Sequence, residues 1–178
     1  MSKVDKTAIV RAAEEVVRER GARKLTLDAV AAKCGLSKGG LLHHFGTKQA
    51  LLKAMVEEAL SREDQIADEY TASRGPGRGE LSARIHAQFM LMEDEEALPR
   101  ALIAAVAEDP SLLDPIRTHD ARISREVCSV SRDPDLAQIL CFASLGLFMG
   151  RVLGVMDSDD PVLERMRKRL LALAAEIE

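Results

Sequence analysis

The sequence predicts an all-α fold. Hydrophobic residues make up 47% of the 178 residues, yet aromatic residues make up only 3% and tryptophan is absent. A core of aliphatic side chains and methionine favours helices over sheets. Apolar residues also recur at spacings of three and four, which is the period of an amphipathic helix. We therefore expect about nine helices in one compact domain or two small ones.

The first predicted helix runs from about Asp5 to Arg20. Gly21 ends it, because glycine accepts the backbone conformation in which helices terminate. The buried face of this helix is predicted from an apolar stripe that steps by three and four residues and comprises Ile9, Ala12, Ala13, Val16 and Val17.

Two short helix patterns joined by a glycine turn follow. Thr26 is predicted to cap the first helix, and Gly35 ends it. Ser37 is predicted to cap the second helix, with Leu36 and Leu41 closing a hydrophobic staple around that cap. This arrangement is typical of a helix-turn-helix, in which the second helix enters a groove of DNA.

The second helix of the pair carries little side-chain bulk on its outward face. A projection at 3.6 residues per turn places five residues on or beside that face: Gly39, Gly40, Leu42, His43 and His44. Two glycines in a short helix cost roughly 1 kcal/mol each relative to alanine, so a purely structural helix is poorly served by them. We predict that a duplex approaches closely here, with Lys38 and Lys48 supplying positive charge. The alternative is that residues 35–40 form a loop and that the histidines only pack against a neighbour.

Charge is distributed unevenly along the chain. The net charge is −4, but residues 1–60 hold 11 Lys and Arg against 7 Asp and Glu, whereas residues 61–178 hold 14 against 22. A basic N-terminal part joined to an acidic body is typical of a DNA-binding domain with a separate second domain. Two interpretations of the arm at residues 1–6 stay open: Lys3 and Lys6 lie along phosphates, or the arm is a frayed terminus.

Several motifs between residues 7 and 60 carry a family resemblance. They are the Ala12-Ala13 pair, Gly21, Thr26, the VAAKCGLSKG turn, the His44-Phe45 pair, and Lys48 followed by Leu51 and Leu52. In these features the segment resembles the N-terminal DNA-binding domain of the TetR family of bacterial transcriptional regulators. The segment is about a third of the chain, and the remainder resembles the family in length and all-helical pattern.

The resemblance implies a set of DNA contacts. Thr26 and Lys48 would contact phosphates, and the DNA face would be lined by Ser37, Lys38, Gly39, Gly40, His43 and His44. The chain departs from the family at Leu42, where a tyrosine is usual. Leu42 has no hydroxyl to offer, so an apolar contact with a thymine methyl group is the available substitute.

A fourth helix is predicted to begin after Thr47 and to continue to about Tyr70. Its start would contact DNA through Lys48 and its far end would lie in the second domain, so we predict that it transmits conformational change. The predicted domains are therefore a helix-turn-helix DNA-binding domain at 1–50 and a helical ligand-binding and dimerisation domain at 51–178. The glycine-rich stretch 71–79 is predicted to be a connection, since no strand precedes it and no phosphate-binding GK[ST] follows.

The C-terminal body is predicted to be helical throughout. Leu81, Ile85, Phe89 and Met92 indicate one helix, and residues 98–106 indicate another. Aspartate followed by proline is typical of a helix start and occurs at Asp109, Asp114, Asp133 and Asp160. The last three helices are accordingly predicted near 115–131, 134–156 and 161–177.

The last two helices are predicted to form a homodimer interface. The helix from Pro134 carries a glycine every four residues, which would let another backbone approach, and the last helix carries a heptad seam. The predicted interface residues are Gly146, Gly150, Gly154, Leu163, Met166, Leu170, Leu173 and Ile177. The alternative for either helix is burial within its own chain.

The middle helices are predicted to enclose a pocket for a small-molecule effector, as the resemblance implies for this domain. The predicted lining comprises His86, Phe89, Met90, Met92, Leu102, His119, Ile123, Phe142, Leu145 and Met149, with His86 or His119 as the polar group. The alternative is that the methionine and phenylalanine stripe is ordinary core.

Other classes of protein are disfavoured. Cys34, Cys128 and Cys141 form no CxxC pair and follow no signal peptide, so we expect a reduced, cytoplasmic protein in which they are small buried hydrophobes. Redox sensing by Cys128 or Cys141 is the alternative. The apolar run 139–150 is too short to span a bilayer. The acidic run 93–96 is interpreted as a solvated face, and we expect no metal, no cofactor and no enzymatic site.

These observations together predict a DNA-binding transcriptional regulator, a ligand-responsive repressor that binds a palindromic operator in double-stranded DNA as a homodimer. The alternative is a helical small-molecule-binding protein with a degenerate helix-turn-helix and no DNA-binding activity.

Overall fold

A computed structural model describes residues 5–21, 24–74, 79–94, 99, 103, 106, 109–157 and 159–178. Within these residues the chain forms helices and no strand, which confirms the all-α prediction. The elements are α1 (Lys6–Arg20), α2 (Leu27–Cys34), α3 (Lys38–His44), α4 (Lys48–Arg74), α5 (Glu80–Asp94), a 3-10 helix (Pro110–Leu113), α6 (Asp114–Val130), α7 (Pro134–Val152) and α8 (Pro161–Ile177). The predicted helix over 98–106, with Leu102, lies largely outside the described residues.

Most predicted helix starts are confirmed by their caps. Asp133 and Asp160 each accept a hydrogen bond from a backbone N–H two or three residues further on, at 3.0 and 2.8 Å. Asp109 caps the 3-10 helix in the same way. The prediction that Asp114 is a cap is wrong, because its φ of −62° and ψ of −40° are helical and the 3-10 helix runs directly into α6.

Two compact units are formed by the described parts of the chain. The first consists of Met1–Ala59 with Ala97–Ile116, and the second consists of Leu60–Glu96 with Arg117–Glu178. Helices α4 and α6 therefore each begin in the first unit and continue in the second. Leu112, in the second stretch of the first unit, packs into the core formed by the N-terminal helices, and the sequence pattern did not reveal this contact.

The core of the first unit is built from α1 to α4 and the 3-10 helix. Leu41 of α3 and Leu51 of α4 are fully buried in it, and Leu112 of the 3-10 helix packs into the same cluster. The other members are Ile9, Val10, Ala13, Val16, Val17, Leu25, Val30, Ala31, Phe45, Leu52 and Met55. The predicted stripe of α1 is thus confirmed, with Ala12 at its half-buried edge.

The core of the second unit forms where α5 packs against α7 and α8. The predicted stripe of α5 supplies Leu81, Ile85, Phe89 and Met92, all of which are buried. These side chains meet others from α6, α7 and α8, namely Ile123, Val127, Ala137, Leu140, Leu170, Ala174 and Ile177. A smaller cluster of Ala67, Ala83 and Ala87 packs between α4 and α5.

Candidate functional site

The turn between α2 and α3 is held by backbone geometry. Gly35 adopts the left-handed conformation with φ 66° and ψ 24°, which strains any residue with a Cβ. The N–H of Leu36 donates to the carbonyl of Ala31 at 2.9 Å, and the N–H of Gly35 donates to that of Ala32 at 3.3 Å. This pair of bonds is a Schellman motif, so α2 ends at a defined residue and α3 leaves at a defined angle.

Both helices of the turn begin at the predicted caps. The hydroxyl of Thr26 accepts from the N–H of Ala29 at 3.1 Å, and the hydroxyl of Ser37 accepts from the N–H of Gly40 at 3.1 Å. Leu41 is 0% exposed and anchors α3 in the core of the first unit. With Leu41 on its inner side, α3 presents its opposite side outward.

The outward face of α3 consists of Lys38, Gly39, Leu42 and His43, which are exposed, with Gly40 and His44 half-buried beside them. A Cβ built on Gly39 would meet nothing within 4 Å. A Cβ on Gly40 would lie 3.3 Å from the hydroxyl oxygen of Ser37. Gly39 is therefore the open glycine. The absence of a side chain on Gly40 leaves room for the capping hydroxyl of Ser37, and the helical projection did not predict this role.

One lysine at this face, Lys38, already forms an ion pair with a carboxylate of its own chain. The ammonium nitrogen of Lys38 lies 3.0 Å from Oδ1 of Asp28 in the first turn of α2, and about two thirds of each side chain is exposed. Lys33 on α2 instead binds Glu19 of α1 at 2.7 Å, and this hydrogen bond raises the pKa of Lys33. Lys33 thus ties α2 to α1, whereas Lys38 stays at the outward face.

Two further lysines lie at helix starts: Lys48 at the start of α4 and Lys6 at the start of α1. The hydroxyl of Thr47 accepts from the N–H of Ala50 at 3.0 Å, so α4 begins with the predicted cap directly before the half-buried Lys48. The ammonium of Lys6 lies 6.0 Å from the ring centroid of Phe45. Lys6 therefore packs on an aromatic ring, while Lys3 lies outside the described residues.

A pocket with a cavity volume of about 80 Å³ lies in the second unit. Three of the predicted ligand residues, Ile123, Phe142 and Leu145, line it. The remaining lining residues are Glu63, Arg84, Ile85, Gln88, Asp120, Ser124, Gln138, Cys141 and Ser144. Most of these are polar, and sequence reasoning missed them. A detectable signal was Ser144, a hydroxyl inside the otherwise apolar run 139–150.

The other predicted ligand residues do not line this pocket. Phe89 and Met92 are buried in the core of the second unit, so the interpretation of these two side chains as ordinary core is the correct one. His86 stacks on Tyr70 with ring centroids 4.5 Å apart. Met90 is exposed and Met149 is half-buried. Apolar spacing identified the helices around the pocket but only three of the side chains that line it.

His119 belongs to an ion cluster centred on Asp64. The Asp64 carboxylate accepts from Arg84 at 2.5 Å and from Arg122 at 2.8 Å, and Nε2 of His119 lies 3.2 Å from it. Burial raises the pKa of Asp64, but the hydrogen bonds from Arg122 and Arg84 outweigh burial and lower it overall. Burial lowers the pKa of His119, but neighbouring carboxylates, led by Asp120, outweigh burial and raise it overall.

The cysteine thiols differ in their surroundings. Burial raises the pKa of Cys141 to about 11, so the thiol stays protonated at neutral pH. Since the thiolate is the reactive form, Cys141 is poorly suited to redox sensing. Burial also raises the pKa of Cys34, and Cys128 points its sulfur toward Gln138 at 3.7 Å.

The predicted dimer residues fall into three groups: the exposed Gly146; Gly150 and Gly154, which do not extend an open strip; and the heptad seam of α8. Gly146 lies on the exposed face of α7, where a Cβ would meet nothing within 4 Å. Gly150 is covered by its own chain, because a Cβ there would lie 3.2 Å from the sulfur of Met156. The prediction that Gly154 extends a helical strip is wrong, since α7 ends at Val152 and Gly154 has φ +72°.

The third group is the heptad seam of α8, and it already packs inside the chain. Leu163, Leu170 and Ile177 are each 7% exposed, and Met166 and Leu173 are half-buried. The prediction that all five form an intermolecular seam therefore needs correction, because three of these side chains are used within the second unit. Two exposed apolar side chains lie on α7, Ile139 and Phe142, which are 61% and 63% exposed; others lie at Val130, Leu153 and Val155.

Helix α7 is longer than the apolar run that predicted it. Among the described residues it is the one helix with the length and composition to cross a bilayer, although the run 139–150 was judged too short. Core helices of globular proteins satisfy the same criterion, so a single such helix is weak evidence for a membrane span. Ser144 and Arg151 are the buried polar side chains of α7, and the half-buried Gln138 also faces its own chain, where it accepts a hydrogen bond from Ser124.

Comparison with known proteins agrees with this geometry. Residues 9–55 match the model of the bacterial regulatory proteins of the tetR family, and residues 80–175 match the tetracyclin repressor-like C-terminal domain. The HTH-type transcriptional regulator BetI of Stenotrophomonas maltophilia is 28% identical over 129 residues, which are 70% of this chain and 66% of that relative. The chain thus spans slightly under two thirds of that relative's length.

Solved structures share the fold. A TetR-family regulator from Rhodococcus superposes with a TM-score of 0.71 and 21% identity, over 99% of each chain. A transcriptional regulator from Saccharomonospora viridis in complex with choline superposes with a TM-score of 0.72 and 17% identity, over 93% of this chain and 92% of that one. Because the C-terminal family model matches more than half of the residues and the N-terminal model matches the helix-turn-helix, this chain belongs to the tetR family of bacterial regulatory proteins.

Proposed function

We propose that the protein is a cytoplasmic transcriptional repressor that binds a palindromic operator as a homodimer and releases it when a small molecule binds. The observation that carries this proposal is α3. It is anchored by the buried Leu41 and capped by Ser37, and it turns the open backbone of Gly39 outward. A helix shaped in this way suits insertion into a major groove.

The outward residues suggest a division of roles. The N-termini of α2 and α4, at Thr26 and Lys48, offer backbone N–H groups and a cation, which suit phosphates. On α3, Lys38 and His43 carry donors that suit base edges, and Leu42, which is 40% exposed, suits a thymine methyl group.

Dimerisation is supported by the exposed face of α7. Ile139 and Phe142 are both more than 60% exposed in the single chain, and Gly146 lies on the same face with open space around it. An isologous contact between two such faces would bury these side chains. Two copies of α3 would then read half-sites separated by about 34–36 Å, one turn of DNA, or a multiple of it.

Effector response is supported by the pocket and by the path of the chain. The pocket lies in the second unit. Both α4 and α6 have residues in each unit, and Leu112, two residues before the start of α6, is buried in the core of the first unit. We infer that a ligand changes operator affinity through these two helices. The coupling free energy of such systems is typically about 1–3 kcal/mol, or roughly five- to 150-fold in affinity.

The proposal is tested by selecting bound duplexes from a random pool with the purified protein. Recovery of a palindrome supports the proposed symmetry and gives the half-site spacing. Failure to retain any duplex at low salt contradicts the proposal and favours a ligand-binding protein without DNA-binding activity.

Substitutions then separate the roles on the recovered operator. His43→Ala and Lys38→Ala should weaken binding mainly to the preferred sequence. Lys48→Ala should weaken binding to all duplexes alike. The slope of log affinity against log salt concentration should decrease in magnitude by about 1, as expected for the loss of one phosphate contact. Identical behaviour of the three variants would contradict the division into base and phosphate contacts.

A further inference from the structure

We propose that the pocket of the second unit takes a small primary ammonium compound, with the carboxylate of Glu63 as its counter-charge and the hydroxyl of Ser144 as a hydrogen-bond partner. This inference rests on the proposed function in one respect, namely that the second unit is the effector-binding unit. It specifies the chemistry of the effector from the groups that line the cavity.

The charge of the lining favours a cation. Glu63 and Asp120 line the pocket with carboxylates, and Arg84 is the one positively charged side chain among its lining residues. Arg84 is already neutralised, because its guanidinium donates at 2.5 Å to Asp64, which does not line the pocket. When Glu63 is ionised, the lining therefore carries more negative than positive charge, and a positively charged ligand would compensate the excess.

Ser144 supplies an independent indication of a polar ligand. It is 1% exposed, it lines the pocket, and its hydroxyl has no hydrogen-bond partner among the described residues. An unpaired buried hydroxyl is unfavourable, and native structures usually provide it with a partner. A ligand N–H would provide that partner, because a hydroxyl oxygen accepts hydrogen bonds.

The size of the pocket restricts the part of a ligand that it holds to a few heavy atoms. Its cavity volume of about 80 Å³ is smaller than the roughly 150 Å³ of an engineered cavity that holds benzene. Phe142 is the one aromatic side chain in the lining, whereas quaternary ammonium groups are typically bound by a cage of several aromatic rings. Gln88 offers a further hydrogen-bonding group to a head group that carries N–H donors, whereas Ser124 already donates to the side-chain oxygen of Gln138.

A metal ion fits the site less well than an ammonium group. Within the described residues no group of three or more histidine, cysteine, aspartate or glutamate side chains is arranged to hold a metal. Divalent cations generally need at least that many protein ligands in a dedicated site. An ammonium group needs only one carboxylate and a few acceptors.

Binding of a cation should release a proton from Glu63 at any pH where this carboxyl is protonated in the free protein. Burial raises the pKa of Glu63, which is also influenced by His119 and Asp120 of α6, Arg84 of α5 and Asp64 of α4, and which lies near Cys141 of α7. An ammonium group stabilises the ionised carboxylate. Affinity for the ligand should therefore rise as the pH rises through the pKa of Glu63 in the free protein.

The test is isothermal titration calorimetry of the full chain with n-propylammonium chloride. We expect saturable binding with proton release, detected as a difference in heat between buffers of different ionisation enthalpy. Glu63→Gln and Ser144→Ala should each weaken binding, the former by about tenfold or more, as expected for loss of a charge-assisted hydrogen bond. Asp68→Asn, at an exposed position of the same helix as Glu63, is the matched control and should bind like the wild type.

Ligand controls sharpen the test. Propan-1-ol and propanoate should not bind, and choline should bind more weakly than n-propylammonium. Equal or tighter binding of choline, binding unchanged by both Glu63→Gln and Ser144→Ala, or no binding of n-propylammonium would overturn the proposal. If Glu63→Gln fails to fold, Ser144→Ala and the proton release measured on the wild type decide the question.

The same titration separates this inference from the proposed function. Calorimetry is performed without DNA, and operator binding is measured separately by fluorescence anisotropy. Ammonium binding without any DNA binding would support the pocket and contradict the repressor. DNA binding without ammonium binding would contradict the pocket alone.

Discussion

The ammonium of Lys38 on α3 lies 3.0 Å from the carboxylate of Asp28 on α2, so a cation assigned to DNA has a counter-charge within the free protein. Both side chains are about two thirds exposed. A phosphate or a base edge must therefore compete with Asp28 for Lys38. In the proposed mode of binding, the negative charge of Asp28 would also lie close to the duplex.

Replacement of Asp28 by asparagine should strengthen DNA binding. The variant frees Lys38 and removes a carboxylate that repels phosphates. Exposed ion pairs contribute about 0.2–1 kcal/mol, so affinity should increase by roughly two- to fivefold. Fluorescence anisotropy with a labelled duplex at fixed salt measures this change. Glu57→Gln, at an exposed position of α4, controls for net charge, and an equal gain in that variant would show that the ion pair is not the cause.

Gly39 and Gly40 should respond differently to alanine. Gly39→Ala meets open space, so it should raise the free energy of unfolding by up to about 1 kcal/mol through helix propensity. It should also weaken DNA binding by about tenfold if the duplex touches this backbone, since that corresponds to about 1.4 kcal/mol.

Gly40→Ala should stabilise the protein less than Gly39→Ala does, because the new Cβ would lie 3.3 Å from the capping hydroxyl of Ser37 and disturb that cap. Loss of such a cap costs about 1 kcal/mol. Urea denaturation and anisotropy on both variants make the comparison. A Gly39→Ala protein that binds DNA as well as the wild type would show that α3 does not approach the duplex at this residue.

The ion cluster predicts that the free energy of unfolding falls both at low pH and at high pH. The pKa of Asp64 is lowered from 3.8, so its contribution is present above that pH and is lost as pH falls through the folded pKa. The pKa of His119 is raised from 6.5, so its contribution is complete below that pH and is lost as pH rises through the folded pKa. Urea denaturation across this range should show both losses, and His119→Asn should remove the alkaline one.

Replacement of Asp64 by asparagine should reduce the free energy of unfolding by about 2 kcal/mol, because the buried Arg84 would lose its hydrogen-bonded carboxylate and keep those of Glu80 and Glu126 at 4.0 Å, while Asp64 itself is partly exposed to solvent. The control Asp68→Asn removes an exposed carboxylate from the same helix and should change stability little. Equal stability of the two variants would show that the cluster contributes nothing beyond surface charge.

Gly146→Leu should disrupt the proposed dimer. The new side chain has open space within its own chain, so it should leave the fold intact and obstruct only a second copy. Light scattering should report half the wild-type mass. Gly150 is unsuitable for this test, because Met156 would collide with a new side chain there. Ala121→Leu, at an exposed position of α6, is the matched control, and an unchanged mass for Gly146→Leu would contradict the α7 interface.

Local chemistry allowed much of the fold to be predicted from sequence. Caps at Thr26, Ser37 and Thr47 and the turn at Gly35 depend on a few neighbouring residues, so each could be identified from the printed letters. Family motifs then identified the DNA-binding segment.

Long-range packing accounts for what sequence reasoning missed. The Asp28–Lys38 pair joins two helices, and Leu112 returns to a core whose other members precede residue 56. Pocket residues such as Glu63 and Ser144 come from helices that are distant in sequence. Hydrophobic periodicity indicates which face of a helix is buried, but it does not show which buried face has a cavity beside it.

The position of Leu112 limits how chimaeras between related regulators can be built. Its side chain belongs to a core whose remaining residues lie between Ile9 and Met55, so that core is encoded by two separated stretches of sequence. A chimaera made by one crossover within α4 would take Leu112 from one parent and its neighbours from the other. Functional hybrids should therefore need either two crossovers or parents that carry matching residues at this contact.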